Sequence, residues 1–514
     1  MAEHYSAQRL RRGIAHFLWG KASSALLSFV GFLLVARLLQ TSDYGRYVAM
    51  VALVELALNL ANFGLDWVST RYVPEYRVRA GGPRLARFIL RLTGLQVLLI
   101  GGVGAALWLF AEPIASLVGV AGAGQVLRLY AAYLVLEGAS RVLRDQMLSQ
   151  LLLQGRAQVA LVLRHITWVG ACGFLLLRDG EANLLSVASI ELVAAAVGFL
   201  AAALGLSYAL CAAAREESKP SDSHWVAPTR DEMWALAANS YLSFLLNIPS
   251  RSQVLTLMVT RLAGVDSAAV FGFARSLADL VLRFLPAELL LGFVRPALVA
   301  RFVSARDFSS LNMQVNLLLI LSLLVLAPLL TLVIAKGDLV VHVLGGGRFE
   351  GGAPVLTLLL VGAAFFSHRR MLEFVANTVG QPQVIGRGSV VMLLVPMVVF
   401  ALLQMKMPIW TVPLAMLAAE LIFGGVVVRL LKRANVNYMA PLEALARIAA
   451  ATALASILAA LSPVLSSDSL SALLGHAVLA AVFTLIAVWL VRPLDSAALA
   501  ALNALMKLRK GSRS

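Results

Sequence analysis

The stretch VARLLQTSDYGRY, residues 35–47, ends one long apolar run and begins another, with Arg37, Asp43 and Arg46 packed around a polar turn. VTRLAGVDSAAVF, residues 259–271, makes the same kind of junction again. A shift of 224 residues carries Val35, Arg37, Leu38 and Tyr47 onto Val259, Arg261, Leu262 and Phe271. The same shift carries Glu55 onto Asp279 and Arg71 onto Arg295. QGRAQV at 154–159 meets VGQPQV at 379–384 at a shift of 225. Two matches in the same order at nearly one offset mark an internal repeat of six helices. Six is even, so both copies insert the same way round. Such parallel repeats are related by an axis along the membrane normal, with substrate sites at their interface.

The apolar runs around these junctions set the class. The chain has 514 residues, 60% hydrophobic and 14% charged, with a mean hydropathy of +0.85. Soluble domains carry about 25% charged residues. Many runs approach the roughly 20 residues that cross a bilayer as a helix. They are continuous, whereas a membrane β-barrel alternates every second residue. The reading is an all-α polytopic membrane protein of about fourteen transmembrane helices. Their approximate positions are 14–36, 47–69, 92–111, 127–149, 158–177, 184–210, 235–260, 268–291, 312–335, 353–376, 384–405, 411–431, 446–465 and 469–491. The N-terminal apolar segment is too long for a signal peptide and lacks a small-x-small cleavage site, so it reads as a retained first helix. Residues 1–210 form a first six-helix bundle and 211–233 a polar, proline-bearing cytoplasmic linker. Residues 234–433 form a second bundle, and 434–514 add two further helices and a basic tail.

With the N-terminus inside, 31 of the 43 Lys and Arg fall on cytoplasmic segments and nine outside. That bias places both termini in the cytoplasm. The net charge of +16 then reads as topology and contact with anionic lipid rather than nucleic-acid binding. Arg141 and Arg164 count here among the cytoplasmic charges. Arg144 and Arg369, matched in the repeat, read as headgroup contacts.

A charge at mid-bilayer costs about 2.5–3.5 kcal/mol on insertion scales, so such residues usually face a bundle interior. The second helix carries Glu55, Asn59, Asn62 and Asp66 at spacings that share one helical face. The eighth carries Arg275, Asp279 and Arg283 on one face, and the seventh has Ser240, Ser243, Asn247 and Ser250 with Arg251 beside them. The first adds Lys21 and Ser24. A polar, partly cationic cavity between the halves follows, with Arg283, Arg251, Arg275, Lys21, Asn59, Asn62 and Asn247 as its candidate substrate contacts. Asp279, Glu55 and Asp66 are candidates for ion coupling or for charge pairs. A plainer reading stays open: Arg275, Asp279 and Arg283 staple their helix to a neighbour, and Lys21 and Arg275 snorkel to the interface. His165 reads as structural.

No Walker loop, GxGxxG or HExxH is present, and the two cysteines, Cys172 and Cys211, suggest neither a disulfide framework nor a metal site. GGGRFEGG at 345–352 follows no strand and reads as a flexible external loop. A membrane glycan polymerase or ligase would usually need a sizeable external loop, which is missing. The reading is a transporter without enzymatic activity or cofactor. A small-molecule efflux carrier and a non-transporting scaffold stand as alternatives.

Residues 36–76, ARLLQTSDYGRYVAMVALVELALNLANFGLDWVSTRYVPEY, resemble the first hairpin of the polysaccharide flippase family. This is the Wzx/PST type of the multidrug/oligosaccharidyl-lipid/polysaccharide (MOP) exporter superfamily. The resemblance rests on Ala36-Arg37-Leu38-Leu39, on Asp43-Tyr44-Gly45 with Tyr47, on Gly64-Leu65, and on turns at Gly155 and Gly380. The second junction has Ala268-Ala269 where the first has Tyr44-Gly45, so it supports the repeat and not the family. The resemblance implies a MATE-like fold in the bacterial inner membrane. It implies alternating access for an undecaprenyl-pyrophosphate-linked glycan; coupling to a proton or sodium gradient or to the membrane potential, and polysaccharide polymerase machinery as a partner, are further expectations.

Overall fold

The computed structural model describes residues 7–215, 225–289, 306–462 and 469–493, together with Arg295, Leu298, Val299, Phe302 and Ser304. For residues 7–19 it describes the backbone alone. All regular structure among these residues is helical. Among the described residues eleven helices are long and apolar enough to cross a bilayer, and they overlap eleven of the fourteen expected spans. Their outward faces are apolar, with Leu177 90% and Leu98 72% exposed, as suits contact with lipid rather than water. The protein is an all-α polytopic membrane protein.

The chain divides into two compact units, residues 1–269 and 270–514. The first holds α1 (Ala7–Leu38), α2 (Thr41–Ala61), α3 (Leu65–Arg79), α4 (Gly82–Leu109), α5 (Ala111–Val118), α6 (Gly124–Arg141), α7 (Gln154–Asp179), α8 (Leu184–Arg215), α9 (Arg230–Asn247) and α10 (Ser252–Ala263). α11 (Val265–Phe284) runs across the boundary. The second unit continues with α12 (Pro286–Leu289), α13 (Phe308–Gly345), α14 (Gly352–Thr378), α15 (Pro382–Ser389), α16 (Leu394–Gln404), α17 (Thr411–Arg433), α18 (Leu442–Leu461) and α19 (Leu470–Val491).

In the first unit α1 lies along α7, α7 along α8, and α6 packs against both α4 and α8. In the second, α13 packs on α14, α18 and α19, so the two C-terminal helices sit on this unit's longest helix. GGGRFEGG is not a free loop. Phe349 is fully buried and stacks on Phe273 at 4.3 Å.

The three remaining expected spans are helical but interrupted. The fourth is α6 followed by a π-helical stretch, Val142–Leu148. The seventh is α9 and α10, separated around Pro249. The eighth ends at Phe284, where Pro286 opens α12. The second expected span is also corrected. It stops at Ala61, because Phe63 and Gly64 take positive φ of 48° and 75° before α3 begins. Asn62 shifted by the repeat offset falls on Pro286, so both copies break at the same place. Hydropathy does not register such breaks, since the flanking residues stay apolar.

Sequence position assigns α9 and α10 to the second repeat, yet they pack on α2 and α3 of the first. Tyr241 donates to the Leu60 carbonyl at 3.0 Å and stacks on Phe63 at 5.1 Å. Two glycines of the opening hairpin make this approach possible. A Cβ at Gly45 would lie 1.9 Å from the Val265 carbonyl oxygen, and one at Gly64 would lie 2.2 Å from that of Ala237. No rotamer relieves a clash with backbone. Overpacking of this kind costs about 1–3 kcal/mol. Gly45→Ala is therefore expected to lower the melting temperature of the purified protein, while Gly94→Ala, which meets open space, leaves it unchanged. Equal melting of the two variants would reject the packing role.

Candidate functional site

The polar core of the first unit is a chain of alternating charges. Arg141, at the end of α6, places both terminal nitrogens on the Glu55 carboxylate of α2, at 2.6 and 2.9 Å. Its Nε donates to Glu137 at 2.8 Å, one turn earlier on α6. The other Glu137 oxygen lies 3.0 Å from Arg164 Nε on α7, and Arg164 donates to the Tyr133 hydroxyl at 2.9 Å. Tyr133, Glu137 and Arg141 share one face of α6 because four residues make about one turn. Two carboxylates and two guanidiniums sum to zero, which suits a site away from water. Glu137 is 1% exposed, while Glu55 and Arg141 keep 30% and 34% of their side-chain surface accessible. The network thus has a buried anchor and an open edge.

The hairpin motif feeds the same core. Tyr47 donates to Glu191 of α8 at 3.0 Å, Tyr44 is buried, and Arg46 pairs with Asp43 at 3.0 Å.

The second unit carries a related arrangement. Arg370 on α14 grips Glu288 of α12 at 2.5 and 3.2 Å. Arg369 beside it pairs with Glu373 at 3.0 Å and with Glu420 of α17 at 3.1 Å. In each unit an arginine of the fourth helix of the repeat reaches an acid from the second-helix region. Arg369 is ion-paired and Arg144 is only 6% exposed, bonded to Asp145 at 2.9 Å. Neither is the headgroup contact expected from sequence. Arg141 and Arg164 likewise pair with acids inside the helix bundle.

The residues expected from sequence are distributed as follows. Glu55 joins the network. Asn59 donates to the Glu55 carbonyl at 2.6 Å, and Asn62 and Asp66 lie on either side of the break. Asn62 and Asp66 therefore do not continue the α2 face on which they were expected. Arg251 is the N-cap of α10, with its guanidinium 4.5 Å from the Phe244 ring centre. The expected seventh-helix stripe is cut at that point. The side chains of Asn247 and Ser243 lie outside the described residues. Lys21 sits half-buried on α1, the helix that packs along α7. Arg275 and Asp279 pair at 3.4 Å, the staple that the plainer reading allows, and Arg283 is exposed. His165 is buried and bonds Ser24 at 3.3 Å and the Leu161 carbonyl at 2.8 Å.

Sequence reasoning missed Glu137, Arg141, Arg164, Glu191, Glu288, Arg369, Arg370, Glu373 and Glu420. The Glu137–Arg141 spacing of four was a usable signal. It was obscured by assigning Arg141 to a helix end. Removing one partner of a buried pair costs about 3–5 kcal/mol, because it strands the other charge. Arg141→Gln is expected to destabilise the protein strongly, and adding Glu55→Gln to recover part of the loss. A double-mutant cycle on melting temperature in detergent measures this, and strictly additive effects would show the pair to be uncoupled.

Comparison with known proteins follows the fold. The structure superposes on a lipid II flippase MurJ in its inward closed conformation with a TM-score of 0.68. The identity is 14%, over 92% of this chain and 97% of that one. An inward-facing multidrug resistance MATE family transporter of the MOP superfamily gives 0.59 at 13% identity, over 80% and 94%. An outward-facing transporter of the same description gives 0.52 at 15%, over 83% and 95%. No curated protein sequence matches the chain. At these identities the superpositions establish a shared MOP-type fold. The model of the family described as "Polysaccharide biosynthesis protein" matches residues 10–287. That stretch is more than half of the sequence and includes the hairpin, the α2–α3 break and the ion network, and the chain belongs to the polysaccharide biosynthesis protein family.

Proposed function

We propose that the protein is a flippase. It carries a lipid-pyrophosphate-linked oligosaccharide repeat unit across the bacterial inner membrane by alternating access, for envelope or exported polysaccharide synthesis. The observation that carries this reading is a lipid II flippase fold over 92% of the chain in a member of a polysaccharide biosynthesis family. The termini lie in the cytoplasm on the charge bias. The cargo is an undecaprenyl-pyrophosphate-linked glycan, and polymerase machinery receives it on the far side. A pyrophosphate calls for charge-assisted partners. Arg251, Arg275, Arg283 and Lys21 are the proposed ones, and the accessible edge of the Glu55–Arg141 pair is a further one. One elementary charge moved through 100 mV exchanges about 2.3 kcal/mol, so an interior-negative potential favours outward movement of an anionic headgroup. Glu55, Asp66 and Asp279 are the proposed seats of any coupling proton or sodium ion.

The MATE likeness supports a second reading, efflux of a small molecule. Proteoliposomes loaded with a fluorescent undecaprenyl-pyrophosphate oligosaccharide separate the two. Flipping is expected to exceed that of empty liposomes and to fall at least tenfold in Arg251→Glu and Arg283→Glu at equal protein. Lipid flipping at the empty-liposome rate, with dye efflux intact, would replace the flippase reading by the efflux one. An imposed proton or sodium gradient that leaves the rate unchanged would remove the coupling roles of Glu55, Asp66 and Asp279.

A further inference from the structure

A second polar feature of the first unit plays no part in the ion network. α4 opens with Arg84, Arg87 and Arg91, spaced three and four apart and so on one face. From Leu92 onward the helix is almost wholly apolar. The step from cationic to apolar surface marks the level where headgroups give way to hydrocarbon. Arg230, the first residue of α9, converges on the same place from a separate element. All four line one cavity of about 650 Å³.

The cavity has an aromatic wall. Tyr76 stacks on Phe88 at 4.1 Å and meets the edge of Trp225 at 5.1 Å. Trp225 Nε1 donates to Glu75 at 2.9 Å, which pins the end of the inter-repeat linker across α3. Leu65, Val68 and Leu95 add an apolar part to the lining. Among the described residues no carboxylate stands within ion-pair distance of Arg84, Arg87, Arg91 or Arg230. Arg87 spends one N–H on the Pro83 carbonyl at 3.4 Å. Arginines that only set topology need no shaped hollow and no second element. Here four guanidiniums border a concave, aromatic-walled space next to apolar surface.

We infer that this cleft binds the phosphate-bearing headgroup of a lipid, with the arginines on its phosphate oxygens and the chain against Leu65, Val68 and Leu95. Guanidinium forks match phosphate geometry in pairs of hydrogen bonds. The same chemistry is offered by an anionic phospholipid of the bilayer and by a lipid pyrophosphate. The inference rests on the cleft and the spanning fold, not on what the protein carries.

Native mass spectrometry of the full chain in detergent tests it, with phosphatidylglycerol, cardiolipin, undecaprenyl pyrophosphate, phosphatidylcholine and inorganic pyrophosphate as separate additions. The wild type is expected to retain one or more of the three anionic lipids well above phosphatidylcholine. Each Lys or Arg near an anionic surface contributes about 1 kcal/mol, so R84Q/R87Q/R91Q is expected to weaken that retention by roughly a hundredfold. R84K/R87K/R91K keeps the charges that set topology and is expected to fall in between, because lysine lacks the fork. Retention of the phospholipids alone identifies a bilayer lipid as the occupant. Displacement of them by undecaprenyl pyrophosphate at equal concentration identifies a lipid pyrophosphate. Equal retention of phosphatidylcholine by the wild type, unchanged retention in R84Q/R87Q/R91Q, or equal displacement by inorganic pyrophosphate would each overturn the inference. The readout is retention and not flipping, so the result is independent of the proteoliposome assay.

Discussion

A carboxylate withdrawn from water must be neutralised by partners that are themselves satisfied, and in the first unit this constraint falls on Glu137. Its 1% exposure leaves solvent no part in holding the charge. Arg141 and Arg164 approach it from α6 and α7, and Arg141 in turn requires Glu55 from α2. Three helices, α2, α6 and α7, are therefore fixed around one side chain. The order of burial gives the network direction. It is closed at Glu137 and open at Glu55 and Arg141, so a ligand reaching the open edge meets a guanidinium already oriented by the closed one.

What was legible in the sequence followed from local rules. Long apolar runs located eleven spans, and the expected gap between 384–405 and 411–431 separates α16 from α17, because Pro408 and the turn around Lys406 interrupt the pattern. The hairpin motif was legible as a junction, but the reasons for its residues were not. Gly45 is small because of Val265, and Tyr47 is a tyrosine because of Glu191. Both partners lie more than a hundred residues away. The ion network was hidden for the same cause. Only Glu137 and Arg141 are near neighbours in sequence. The face argument for Glu55 through Asp66 assumed an unbroken helix, and two residues with positive φ invalidate it.

The repeat is expressed in physics more clearly than in letters. Arg141 and Arg370 do not align at an offset of 225, yet each sits on the fourth helix of its copy and grips an acid from the second-helix region. A shift of about one turn along a helix preserves the facing direction. Position on a face has been kept while the residue number has drifted, which is why identity counting recovers little of the symmetry. The α2–α3 break and the Phe284–Pro286 break survive for a related reason, since a break depends on backbone geometry rather than on one residue type.

The placement of α9 and α10 in the first unit changes what the 211–233 linker joins. Its described ends, Ala213 against Gly82 and Trp225 against Tyr76, both rest on that same unit. The described residues at both ends of the linker thus belong to one compact unit. The covalent passage from one compact unit to the other lies inside α11, at residues 269 and 270 of an unbroken helix. The backbone hydrogen bonds of α11 therefore run without a gap across the division.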